Sequence, residues 1–317
     1  MGYKRAGCTI VAANDIDPEI AWHYKRNLKP PKYFLCPIRD LITKSLPDEL
    51  YDLDILDGSP PCSTFSMAGS REKSWGKDKH FREGQAKQVL SDLFFDYLDL
   101  VERLKPKVAI AENVKGMILG NAKGYTKLVM QRFREIGYRP QLFLVNAADC
   151  GVPQRRERVF FCAVRDDIGV PKLQLSPKHR WISAGEATAD LQELTDDEIR
   201  ETKATPCALK WWSATMEGER YEQAVMRAGL KPKLFNHPKL SRHDPAKTLV
   251  SGNIETMTHW SQCRKLTYRE WKRLGSFPDD YHAKTDKIGK YMIGMSVPPK
   301  MTEAVAKAVC EQWLGVK

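Results

Sequence analysis

An apolar run punctuated by aspartates, Leu53-Asp54-Ile55-Leu56-Asp57, ends at Gly58-Ser59-Pro60-Pro61-Cys62, and that ending constrains the fold more than any other stretch. Two consecutive prolines offer no backbone N–H and fix φ, so a strand that stops there continues neither as ladder nor as helix interior. Cys62 is thereby handed to a rigid turn at a sheet edge, a place suited to chemistry. Taken alone, a cysteine there reads first as a small buried core residue.

The surrounding pattern alternates. Residues 8–15 read as a short apolar strand, and Pro18 suits the first turn of a helix running to about Asn27. Residues 51–57 read as a strand, 86–104 as an amphipathic helix, 108–112 as a strand and 124–136 as a helix. Residues 140–146 and 159–164 look like paired strands. Such alternation predicts a parallel α/β sheet that binds ligands at the carboxyl ends of its strands. From about Asp166 to Thr258 the periodicity fades into Pro, Lys, Trp and short segments, the pattern of a separate lobe, and helical order returns at 267–274 and 298–313.

The chain has 317 residues and 42% hydrophobic content, enough for one large core or a core plus a smaller lobe. No stretch approaches the roughly 18 consecutive apolar residues of a membrane span, and the N-terminus lacks a secretory pattern, so a cytoplasmic protein is expected. The cysteines at 8, 36, 62, 150, 162, 207, 263 and 310 form no C-x-x-C pair and no zinc-ligand spacing, which predicts free thiols and no structural metal. A net charge of +11 favours a polyanionic partner.

Three further groups carry chemistry. Glu112 stands at the end of the apolar run Val108-Ala109-Ile110-Ala111, where desolvation would raise its pKa; a cap or a salt bridge is the plainer role. Gln154-Arg155-Arg156-Glu157-Arg158 precedes Val159-Phe160-Phe161, and alternation at a strand start would put Arg156 and Arg158 on one face, suited to phosphate or carbonyl oxygens. A solvated charge run is the alternative. Asn14-Asp15-Ile16-Asp17 follows the first strand, where an acidic residue commonly accepts ribose hydroxyls.

Together and in this order, these residues resemble the cytosine-C5 DNA methyltransferases. Gly58 to Ser66 is similar to the family's nucleophile loop, Glu112-Asn113-Val114 to its ENV motif, and 154–158 to its QRRxR motif. Residues 264–281 and Gly294-Met295-Ser296-Val297-Pro298-Pro299 resemble its closing segments. The resemblance implies a class I S-adenosylmethionine-dependent methyltransferase fold, Rossmann-like α/β, with a smaller target-recognition lobe. It divides the chain into a catalytic and cofactor-binding domain at 1–165, a recognition lobe at 166–264 and a return to the catalytic domain at 265–317.

The implied reaction is methyl transfer from S-adenosylmethionine to C5 of a flipped cytosine through a covalent adduct between Cys62 and C6. Glu112 would hold N3 and the exocyclic amine, Arg158 would contact O2, and Arg156 would orient base or phosphate. Asp15, Ile16, Ile38, Pro61, Met295 and Ser296 would bind cofactor; Ser66, Asn113, Gln154 and Thr248 would meet the DNA. Trp211, Trp212, Lys210 and Arg220 are candidates for base readout. The implied partner is double-stranded DNA, with a cognate restriction endonuclease that forms no complex with it, for a monomer of bacterial or phage type.

Three departures fall on the cofactor side. The glycine-rich turn that opens the family is not found before Met1-Gly2-Tyr3-Lys4-Arg5, so either the natural chain starts upstream or a partner supplies the strand. Cys36-Pro37-Ile38 stands where the family has Gly-Asp-Ile, and Met295 replaces its usual Asn. A non-catalytic or split component that needs other residues for the cofactor is the alternative function. An RNA methyltransferase is a third reading, without the Cys-Phe-Thr signature of that branch.

Overall fold

In the computed structural model the description covers residues 1–61, 93–120, 122–191, 193–234 and 236–316, with backbone alone at 78–79 and 88–89. Cys62 and Ser66 lie outside the described residues. The chain divides into a sheet unit, Tyr3–Val145, Glu157–Ser176 and Val305–Lys317, and a second unit, Met1–Gly2, Asn146–Arg156 and Pro177–Ala304.

The strands of the sheet unit are β1 Ala12–Asp15, β2 Lys32–Leu35, β3 Ile55–Gly58, β4 Asp78–Lys79, β5 Gln88–Val89, β6 Val108–Val114, β7 Tyr138–Asn146 and β8 Glu157–Arg165. The main sheet runs β3-β6-β8-β7, while β1 pairs with β2 and β4 with β5. β3 lies parallel to β6 in the register Gly58↔Ala111, and β8 is antiparallel to β6 with Val114↔Arg158. The sheet is therefore mixed where alternation predicts parallel. β7 and β8 follow one another without a helical crossover, and only a crossover enforces parallel pairing.

Its helices are α1 Gly2–Arg5, α2 Pro18–Leu28, α3 Ile38–Thr43, α4 Leu93–Leu104 and α5 Ala122–Glu135. Asp17 caps α2, accepting from the amides of Glu19 and Ile20, and Pro18 occupies the first turn where no N–H is needed. α4 starts at Leu93, later than the apolar spacing from 86 suggests, because Gln88 and Val89 pair with β4. Strand 51–57 likewise shortens to β3, since Asp48–Tyr51 forms a 3-10 turn.

β6 is apolar without alternation because both its faces are covered; Val108, Ala109, Ile110 and Ala111 are all fully buried. Phe94, Leu98 and Val101 of α4 pack with Val129 and Phe133 of α5 against Ala109, Ala111, Phe161 and Ala163. A second cluster, built on Leu41, Leu46, Leu50, Leu100 and Leu104, carries Ala12 of β1, Phe34 of β2 and Leu56 of β3. No ladder among the described strands joins β1–β2 to β3, although both rest on this cluster.

The second unit is built from short helices: α6 Ala184–Ala187, α7 Asp196–Glu201, α8 Pro206–Trp211, α9 Tyr221–Arg227, α10 Tyr268–Leu274, α11 Asp286–Met295, and α12 Pro299–Trp313, which continues into the sheet unit from Val305. Thr267 and Glu270 cap α10 reciprocally, the Thr-x-x-Glu spacing visible in the sequence. This unit joins residues 146–156 to a body running from 177 through α10 and α11, boundaries that differ from a lobe ending at 264. No helix among the described residues is long and apolar enough to cross a membrane.

Candidate active site

Gly58 ends β3 because no side chain fits: a Cβ there would stand 2.5 Å from the ring of Tyr97. That ring is pinned by its hydroxyl, which donates to the carbonyls of Leu56 and Ile110 at 3.0 and 2.9 Å, tying β3 to β6 from the α4 side. The chain then leaves the ladder through Ser59-Pro60-Pro61. Asn113 Nδ2 donates to the Pro60 carbonyl at 3.0 Å, so the residue two before Cys62 is fastened to the end of β6. Asn113 is buried, and its own Oδ1 accepts from the amide of Val114. Exposed Pro61 is the last described residue before Cys62.

Glu112 and Arg158 meet on this same strand end, with Arg158 Nε 3.0 Å from Glu112 Oε1 and side chains 15% and 11% exposed respectively. Burial pulls the Arg158 pKa below its ordinary value, and the Glu112 carboxylate opposes that shift. The salt bridge held open as Glu112's plainer role is present. Asp57, in β3 one residue before Gly58, accepts from the Tyr3 hydroxyl at 2.6 Å. Asp57 is exposed at its surface, yet desolvation by the protein around it raises its carboxyl to about 6, with that hydrogen bond pulling the other way.

Arg156 goes elsewhere. β8 starts at Glu157, so alternation does not extend back to Arg156, and the two guanidiniums fall in different units. Arg156 is 2% exposed and donates to the carbonyls of Leu249 and Gly294 at 2.7 and 3.0 Å. Gln154 is equally enclosed, donating to Leu274 O and accepting from the Leu249 amide. Both side chains spend these bonds on the backbone of their own unit. Thr248 donates its hydroxyl to the carbonyl of Arg155 at 2.7 Å.

Of the residues expected at cofactor, Asp15 ends β1 with one carboxylate oxygen accepting from the Asp17 amide, and burial raises its pKa against that bond. Ile16 follows it, half-buried. Ile38 packs on both core clusters at the start of α3. Met295 and Ser296 close α11 in the second unit; Met295 is exposed, and Ser296 donates to Met292 O. Among the readout candidates, Trp212 donates to His259 O and lies under the Lys239 ammonium, 3.8 Å from its ring centre. Trp211 and Lys210 face each other in a cation–π pair, and Arg220 stands at the N-cap position of α9, its backbone amide donating to Gln223 Oε1.

Comparison with known proteins gives one family. The family model described as C-5 cytosine-specific DNA methylase matches residues 1–311. A type II methyltransferase of Neisseria gonorrhoeae, M.NgoFVII, is 28% identical over 98% of this chain and 82% of its own length. M.MthTI, a type II methyltransferase of Methanothermobacter thermautotrophicus, is 27% identical over 100% of this chain and 94% of its own. The crystal structure of a putative DNA modification methyltransferase from an Escherichia coli prophage superposes with a TM-score of 0.72 at 18% identity, covering 98% of this chain and 94% of that one. The Dnmt2 methyltransferase of S. pombe superposes at 0.65 with 15% identity over 98% and 93%.

Proposed function

Because the chain belongs to the C-5 cytosine-specific DNA methylases, enzymes whose methyl donor is S-adenosylmethionine, we propose that it methylates cytosine flipped out of duplex DNA through a Cys62–C6 adduct. The observation that carries this is the Asn113 bond to the Pro60 carbonyl, which fastens the approach to Cys62 beside the Glu112–Arg158 pair.

The residues of the sheet unit suit the work. A Cys62 thiolate attacks C6, forming the S–C6 bond and pushing the ring electrons toward C5. Glu112 accepts from the exocyclic amine and, carrying a proton, donates to N3 while Arg158 donates to O2, so the negative charge that develops on the ring finds fixed donors. When bound, S-adenosylmethionine supplies a methyl group that leaves its sulfonium for C5. Transfer of the C5 proton to water then re-forms the C5–C6 double bond, breaks the S–C6 bond and expels the Cys62 thiolate. Asp15 fits the ribose end of the cofactor, since a carboxylate has lone pairs beyond the one given to Asp17. Ile16, Ile38 and Pro61 are its proposed apolar neighbours. The segment 166–264, which from Pro177 onward belongs to the second unit, is proposed to read the DNA word, and a cognate restriction endonuclease is the expected companion activity.

The test is transfer of labelled methyl to mixed-sequence duplex DNA, with Cys62→Ser alongside. Incorporation as 5-methylcytosine by the native chain, lost in Cys62→Ser with DNA affinity kept, supports the reading. Undiminished methylation by Cys62→Ser would end the covalent mechanism. A second reading, a DNA-binding component that needs another polypeptide for the cofactor, is favoured by the absence of a ladder between β1 and β3 among the described strands. Calorimetric binding of S-adenosylmethionine by this chain alone would remove it.

A further inference from the structure

Within the second unit, residues 153–155 run beside 246–248 as a short parallel ribbon. The Ala246 amide donates to Pro153 O at 2.9 Å and the Arg155 amide to Ala246 O at 2.8 Å, with Gln154 and Ala246 as bridge partners. The ribbon sorts its side chains by alternation. Gln154 and Ala246 are buried, so the next pair, Arg155 and Lys247, is turned outward. Two cations thus stand opposite each other across the ribbon, an arrangement that destabilises a sheet unless something offsets it.

The neighbours offset it poorly. Arg155 touches Asp244 at 2.7 Å, but both side chains are about half exposed, 48% and 52%, where an ion pair contributes little. Its guanidinium lies over the Trp181 ring, and the Trp181 indole is held in turn by Asp149 at 2.7 Å, so the arginine is aimed as well as charged. Lys247 has no hydrogen bond or ion pair with any described residue. Partial burial lowers its pKa, and Arg220 and Arg155 push the same way against Glu222 and Glu219. Glu219 is held by Arg227, and Glu222 accepts from the His237 amide through Oε1 while its buried Oε2 has no hydrogen-bond partner among the described residues; neither carboxylate makes an ion pair with Lys247.

We propose that Arg155, Arg220 and Lys247 form a subsite for a backbone phosphate of the DNA. A phosphodiester supplies Lys247 with the ion-pair partner it lacks and competes with half-exposed Asp244 for Arg155, whose guanidinium, held over an indole, presents several donors to its oxygens. Arg220 is thereby assigned to the backbone and not to base readout. The inference rests on the reading of the chain as a DNA methyltransferase.

Anisotropy of a labelled mixed-sequence duplex, titrated with the full chain over a range of salt concentrations, tests it. Lys247→Gln and Arg220→Gln should each weaken binding alike across sequences and lower the slope of log affinity against log salt by about one. Lys247→Arg should restore the slope. Lys172→Gln removes the same charge from an exposed position in the sheet unit and measures the general charge effect. The free Lys247→Gln protein should melt no lower than the native one, because the change relieves repulsion. Equal slopes for Lys247→Gln and Lys172→Gln, or a marked loss of stability in free Lys247→Gln, would overturn the subsite. Failure of the native chain to bind any duplex at low salt would instead overturn the function on which it rests.

Discussion

Arg158 reaches along β8 to meet Glu112 at 3.0 Å, a diagonal pairing, since its partner in register is Val114 and that of Glu112 is Phe160. Each ion satisfies the other in a place largely closed to water, and neither can be neutralised without stranding its mate. Glu112→Gln keeps the shape and one acceptor. It should cost about 2 kcal/mol of stability, the scale of a charged hydrogen bond. It should slow single-turnover methyl transfer by about 10²-fold or more, because charge developing on the base loses its partner. Rapid-quench kinetics at saturating DNA measures this, and an unchanged rate would place the strand end outside the site.

Asn113 separates position from chemistry. Its carboxamide touches the Pro60 carbonyl, and its proposed effect on the reaction runs through the loop that follows. Asn113→Ala should cost about 1 kcal/mol from the lost hydrogen bond. The fall in kcat should be larger than that loss suggests, since misplacing a nucleophile by about 1 Å costs on the order of 10²-fold. Denaturation paired with kcat and KM reads both. A variant with full kcat would mean that the Pro60 tether does not set the position of Cys62.

Arg156 has a different fate. Its guanidinium forks between Leu249 O and Gly294 O, and Gly294 itself packs against the backbone, where a Cβ would stand 2.5 Å from Ser251 N and 2.7 Å from Val250 C. A lysine at 156 cannot bridge two carbonyls from one planar group. Arg156→Lys should therefore lose about 2 kcal/mol or more, and Gly294→Ala about 1–3 kcal/mol through overpacking against atoms that cannot yield. Urea midpoints give both. Arg156→Lys at native stability but with lost activity would restore a direct role toward the substrate.

The sequence pattern reveals elements where one principle dominates. β6 is plain from its unbroken apolar run, α2 from Asp17-Pro18, and α10 from Thr267 and Glu270 three residues apart. α11 is hidden because Gly289 and Gly294 lower its helical propensity, and both are there for packing: a Cβ at 289 would meet the Tyr268 ring at 2.5 Å. The pairing of Glu112 with Arg158 can be guessed from strand ends, whereas the burial of Arg156 cannot, since a strand starting one residue later reverses the argument from alternation. Arg155 and Lys247 come together through a ribbon between segments about ninety residues apart, which no local pattern records.

His259 supplies a pH test. The amide of Ser261 donates to Nδ1 at 3.2 Å, so the neutral ring carries its proton on Nε2, facing Glu270 at 3.7 Å, and the ring stacks on Trp260 at 3.8 Å. Burial first, then the Arg264 guanidinium, depress its pKa to about 4 against the pull of Glu270. An unfolded chain would titrate this histidine near 6.5. Between those values the unfolded state binds a proton that the native state refuses, so stability rises with pH across the window. The contribution is complete above about 6.5 and lost as pH falls to about 4, on the order of 3 kcal/mol in all. His259→Gln keeps an acceptor for the Ser261 amide and removes the titration. Its stability relative to the native chain should therefore be lower at pH 7 than at pH 4.5 by most of that amount, measured by urea unfolding at both values. An equal difference at the two pH values would mean that folding leaves the His259 pKa unshifted.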